Sequence, residues 1–146
     1  MARMVDVGEK KNVKRRAVAT GEIVLKQATL TAVKAGRVVK GDALAAAELA
    51  ALQAIKKVWE VLPLSHQIPI TSAGVNLKVG DGFVSATVVV EATYKTGVEM
   101  EALYGVSVAL LTVWDMVKSL EKNEDGQYPT TKIRDIRIVS KVKGDG

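Results

Sequence analysis

Apolar and polar positions alternate along residues 16–25, where Ala17, Ala19, Ile23 and Leu25 oppose Val18, Thr20, Glu22 and Val24. A period of two predicts a strand. Residues 27–35 read as a short helix stopped by Gly36, a residue suited to a left-handed cap. Asp42 then caps a long helix that runs to Leu62 and ends at Pro63. Alternation returns in residues 68–79, over Val75, Leu77 and Val79, and again in Phe83–Tyr94, over Val84, Ala86, Val88 and Val90. Gly80-Asp81-Gly82 joins these two as a hairpin, because glycine takes positive φ without penalty. A second long helix is predicted from about Gly97 to Lys122, apolar at Val98, Ala102, Val106, Ala109, Leu110, Val113 and Val117. After a loop at 123–129, residues 131–142 form the last strand, and residues 1–12 form an extended, mostly polar arm. The order predicts an α+β protein: a ferredoxin-like βαββαβ sandwich, its antiparallel sheet carrying helices on one face.

Both long helices carry more apolar surface than one stripe needs. Between Ala43 and Ile55 only Glu48 and Gln53 are polar. Such a helix must be covered on more than one side, and one sheet covers only one. A second subunit is the simplest cover.

Composition narrows the class. A chain of 146 residues, 48% hydrophobic and 25% charged, fits one globular domain spanning 1–146. There are no cysteines, which excludes disulfides and thiolate metal sites, and one histidine makes a structural zinc site improbable. No metal site is expected. Uninterrupted apolar runs such as 43–47 are far too short to span a bilayer, and no apolar leader opens the chain. A cytoplasmic protein without a membrane partner is expected. The net charge of +5 favours an anionic partner. Part of it lies in residues 10–16 and 141–143, which read as solvated ends. No aromatic residue stands within either run, which argues against nucleic acid.

Four clusters carry the candidate chemistry. Lys40-Gly41-Asp42 puts a lysine at the mouth of a helix N-terminus, where an anion is already favoured; a plain loop and cap explains it equally well. His66, the only imidazole, follows Leu62-Pro63-Leu64 at a helix–strand junction; a satisfied core histidine is the common alternative. Glu99 and Glu101 open the second helix, where its dipole alone would account for them. Asp115 and Lys118, three apart, can touch as a surface ion pair, although Asp115 lies among the apolar residues of 113–117. Glu101 and Asp115 are 14 positions apart, or roughly 21 Å along one helix. One small-molecule site can use both only if different protomers supply them.

Taken together, Met4-Val5-Asp6-Val7, Lys40-Gly41-Asp42, Leu62-Pro63-Leu64-Ser65-His66, the block from Lys95 to Leu103 and Trp114-Asp115-Met116-Val117-Lys118 resemble the cyclic pyranopterin monophosphate synthase (MoaC) family of molybdenum-cofactor biosynthesis. The likeness runs through essentially the whole chain in order. It implies a lyase of the phosphorus–oxygen type, converting a 3′,8-cyclised dihydroguanosine triphosphate to cyclic pyranopterin monophosphate and pyrophosphate. It also implies a hexamer built as a trimer of dimers, with active sites at dimer interfaces. Asp115 matches the family's catalytic acid/base, and Lys118 and Lys40 its essential lysines. Leu64, Ser65, His66, Met100 and Glu101 match substrate-binding positions, Glu99 lines the pocket, and Arg15 matches a basic residue near the phosphates. No cofactor is required on these grounds, although Mg²⁺ could accompany the triphosphate.

The chain departs from the common pattern at Ser65-His66-Gln67, where many relatives have Cys-His-Pro, and at Tyr104-Gly105 in place of Thr-Ala. The serine keeps a small polar group but removes any thiol role, and Gln67 removes a backbone constraint beside His66. Two readings compete with the synthase. One is a non-catalytic ferredoxin-like module that binds an anionic ligand or RNA, marked by salt-sensitive binding without turnover. The other is a degenerate family member kept as a scaffold for other cofactor-making enzymes, which would show neither.

Overall fold

The computed structural model describes residues 1–144. The chain forms strand β1 (Val13–Val24), helices α1 (Gln27–Lys34), α2 (Ala43–Ile55) and α3 (Val58–Val61), strands β2 (Ile70–Val79) and β3 (Phe83–Tyr94), helix α4 (Glu99–Glu121) and strand β4 (Lys132–Lys143). The four strands make one sheet in the order β2-β3-β1-β4, and every neighbouring pair is antiparallel. Its first helical segment is split into three pieces, and the architecture is the expected ferredoxin-like α+β type.

The strand alternation sorts residues as predicted. Ala17, Ala19, Gly21 and Ile23 of β1 and Val84, Ala86, Val88, Val90 and Ala92 of β3 are buried, while their neighbours on the other face are half-buried. α4 lies over β1, β3 and β4 and packs against α2, which lies over β2. α4 is long and apolar enough to cross a membrane by length and composition, a property that short uninterrupted runs did not reveal. In the fold it is the central core helix, with nine buried residues.

Several boundaries differ from the sequence expectation, three of them for a visible physical reason. The helix from Asp42 does not continue to Leu62. The amides of Lys56 and Lys57 turn back to the carbonyls of Gln53 and Ala54, Lys57 takes φ −124°, and Val58 then dives into the core at 1% exposure. β1 begins three residues early, because Val13, Lys14 and Arg15 pair with Tyr94, Thr93 and Ala92. β2 starts only after Pro69, which has no amide hydrogen to give a ladder.

Candidate active site

Two polar clusters stand at different places along α4. The first is built where the α1–α2 loop meets the C-terminal half of α4. Lys40 Nζ donates to Asp115 Oδ2 at 3.1 Å, and Lys118 Nζ lies 3.2 Å from Asp115 Oδ1. Asp115 is not buried among apolar side chains, although its sequence neighbours suggested that. Val113 and Val117, four apart, fill the core at 0% exposure, while Asp115, half a turn away, faces solvent with a side chain 57% exposed. The Lys40 hydrogen bond, reinforced by Lys118, holds its carboxyl below the usual aspartate range. A cleft of about 520 Å³ adjoins the trio, lined by Leu111, Trp114, Asp115, Lys118 and Ile133. Trp114 is braced edge-on by Tyr128, with ring centres 5.1 Å apart.

The second cluster gathers where the segment after α3 meets the β3–α4 turn. Ser65, His66, Ile68, Thr96, Gly97, Glu99, Met100 and Glu101 line a cleft of about 150 Å³. Glu101 is 4% exposed. Burial chiefly raises its carboxyl from the ordinary 4.5 to about 7; a backbone hydrogen bond opposes the rise and the charge of Glu99 adds to it. Glu99 meets Lys141 at 3.4 Å. A Cβ at Gly97 would lie 2.0 Å from the Glu99 carboxylate, so any side chain there would push the Glu99 carboxylate aside. Ser65 Oγ is buried and has no hydrogen-bond partner among the described residues.

The amino-terminal arm reaches this second cluster. His66 Nε2 lies 2.7 Å from the Val5 carbonyl oxygen, and Lys95 Nζ donates to the Gly8 carbonyl at 3.0 Å. A carbonyl only accepts, so Nε2 carries the hydrogen in that bond. Of the remaining sequence candidates, Arg15 is 5% exposed and donates to the Tyr94 and Lys95 carbonyls at 3.3 and 3.0 Å. It thus ties down the turn that presents Thr96 and Gly97. Leu64 stands 46% exposed outside the cleft lining, and Met100 is 43% exposed on its rim. Sequence reasoning passed over Lys141, in a run read as a solvated tail, and the apolar cleft of Leu111, Trp114 and Ile133. No local spacing marks either, because both depend on β4 lying against α4.

The two clusters offer different chemistry. One offers two cations and an ionised carboxylate beside an apolar wall, the other an imidazole, an unpartnered hydroxyl and a carboxyl that titrates near neutrality.

The MoaC family model matches residues 4–144. A probable cyclic pyranopterin monophosphate synthase of Thermococcus kodakarensis is 56% identical over 143 residues, covering 98% of this chain and 92% of that protein. The protein of the same description from Methanosarcina acetivorans is 58% identical over 143 residues, covering 98% and 90%. A probable cyclic pyranopterin monophosphate synthase accessory protein of Methanothermobacter thermautotrophicus is 50% identical over 141 residues, covering 97% and 89%. With motifs, fold and near full-length likeness in agreement, this chain belongs to the MoaC family.

Proposed function

We propose that the protein is a cyclic pyranopterin monophosphate synthase, a lyase that rearranges the 3′,8-cyclised dihydroguanosine triphosphate and releases pyrophosphate in molybdenum-cofactor biosynthesis. The observation that carries the reading is the Lys40–Asp115–Lys118 trio at 3.1 and 3.2 Å, in a chain whose relatives are described as that synthase. Pyrophosphate departure and closure of a cyclic phosphate build negative charge on phosphoryl oxygens, which two ammonium groups stabilise. Phosphates that draw Lys40 and Lys118 away would also strip Asp115 of its partners, raising its proton affinity when ring rearrangement calls for proton transfer. Ser65, His66, Glu99, Met100 and Glu101 serve as the base-handling half, with Glu101 able to give or take a proton at neutral pH. Arg15 acts through the turn it holds, and Leu64 contacts substrate from the rim.

The two halves lie roughly 21 Å apart on one helix, so a working site joins the lysine–aspartate half of one protomer to the histidine–glutamate half of another. Exposed Leu49 and Leu111, at 60% and 61%, are apolar surface on α2 and α4 that such an assembly would cover. A hexamer formed as a trimer of dimers in the cytoplasm suits this reading. It needs no resident cofactor and no nucleic acid; Mg²⁺ would enter only with the triphosphate.

The test is to supply the cyclised triphosphate and follow pyrophosphate release and pterin fluorescence. Wild type should turn over, and Asp115→Asn should fold and assemble but lose about 10²–10⁴-fold in rate, the range for a positioned acid–base group. Near-normal turnover by the variant would reduce Asp115 to an ion-pair residue, and salt-sensitive RNA binding without turnover would favour the non-catalytic module.

A further inference from the structure

A third carboxylate, outside both clusters, is the most completely enclosed ionisable group of the described residues. Glu121, the last residue of α4, is 0% exposed. It accepts from the Lys26 amide at 3.1 Å, from the Thr29 hydroxyl and, at 2.7 Å, from the Thr131 hydroxyl. Thr29 and Thr131 are themselves buried, at 1% and 7% exposure. Burying a carboxylate is costly, and an apolar side chain would fill the same space at less expense. A negative charge at the C-terminal end of its own helix is also unfavourable.

The partners explain the residue. Lys26 is the N-cap of α1 and makes no side-chain cap of its own. Glu121 instead reaches in from another helix to accept from the amide of Lys26 itself and from the Thr29 hydroxyl, and its charge sits at the positive end of the α1 dipole. α1 leads through Gly36, at φ +67°, into the turn closed by the Gly41 amide on the Val38 carbonyl. Lys40 stands in that turn, whose other end is held where Asp42 caps α2 by accepting from the Ala45 amide at 3.0 Å. Glu121 is six residues beyond Asp115 on α4, about 9 Å along the axis. The same helix end therefore receives the root of α1 and the lysine that α1 delivers.

We propose that Glu121 is a positioning residue: it clips the N-terminus of α1 to the end of α4 and so holds the α1–α2 turn where Lys40 reaches Asp115. Its bearing on turnover rests on the reading of Lys40 as part of the site, but its bearing on geometry does not.

The carboxylate's own partners supply the control. Thr29→Val removes a bond on the α1 side, whereas Thr131→Val removes a bond to the same carboxylate on the β4 side. The readout is the titration of the Asp115 carboxyl, followed by ¹³C NMR in the full-length protein and assigned with Asp115→Asn. Lys40→Ala sets the upward shift expected when that lysine is lost. Glu121→Gln and Thr29→Val should move the Asp115 midpoint upward toward the Lys40→Ala value. They should lower kcat/KM about 10–10²-fold, as for a catalytic group displaced by about an ångström. Thr131→Val should leave both within about twofold, though it forfeits a comparable buried bond. If Thr29→Val and Thr131→Val behave alike, or the Asp115 midpoint stays put in folded Glu121→Gln, the positioning role is wrong and Glu121 only stabilises. Should Glu121→Gln fail to fold, the threonine pair decides alone. A raised midpoint with unchanged turnover upholds the clip and overturns instead the assignment of Lys40 to the reaction.

Discussion

Glu101 and Asp115 share one helix, and their surroundings drive their proton affinities in opposite directions. Glu101 is pushed up to about 7 by burial, while the lysines pull exposed Asp115 down. A pair so divided can split acid and base duties between them. The shift at Glu101 also has a consequence for stability. Between the ordinary 4.5 and about 7 the folded protein holds a proton that the unfolded chain has released. Stability therefore falls as pH rises through that window, by up to roughly 3 kcal/mol, and levels off above it. Glu101→Gln should flatten this slope in denaturant unfolding measured from pH 4 to 8; an identical slope in the variant would mean that Glu101 is not its source. The identities of both residues were legible in the motifs that hold them. Their environments were not, because burial is decided by what packs from elsewhere: Asp115, among valines in sequence, faces water, while Glu101, placed to serve a helix dipole, is enclosed.

Among the elements, β1 leaves no room for a side chain at Gly21, where α4 and β4 press on it. A Cβ there would lie 2.8 Å from Val106 Cγ1, 3.0 Å from Ile136 Cγ1 and 3.1 Å from Leu110 Cδ1. Gly21→Ala should thus cost about 1–3 kcal/mol by overpacking. Gly74→Ala, on edge strand β2 with nothing within 4 Å of the added carbon, should be neutral or slightly stabilising. Equal midpoints for the two in urea would show that the helix rides further from the sheet than described. The strands and the hairpin were readable from alternation, since a period of two is local. The break after Ile55 was not, because Lys56 and Lys57 are good helix formers and the chain turns there to bury Val58. The early start of β1 was hidden for a related reason: Lys14, Arg15 and Arg16 look like a solvated run until the ladder to β3 and β4 claims them.

At the scale of the whole molecule, the proposed division of the site into two halves would make complementation selective. Lys40 and Asp115 lie in one half and Glu101 in the other. In a twofold dimer, a hybrid of Asp115→Asn and Glu101→Gln subunits rebuilds one intact site, so an equal mixture refolded together should recover roughly a quarter of wild-type activity. Lys40→Ala mixed with Asp115→Asn should recover none, because both lesions fall in the same half. Recovery in the second mixture, or in neither, contradicts a site shared in this way. The helical distance behind the proposed sharing could be counted from the sequence. Which residues keep company within a half could not, since Lys40 reaches Asp115 only through the course of the α1–α2 loop.

Both clusters draw residues from the one helix α4. If its two ends belong to two different sites, each α4 is a mechanical member common to both. A substrate that draws the Glu101 end inward displaces the Asp115 end of the same rod, and by linkage the second site must feel the first with equal free energy in return. Substrate binding to the assembly should then depart from a simple hyperbola, with calorimetric titration giving unequal successive affinities; identical, independent sites would show that the rod does not move.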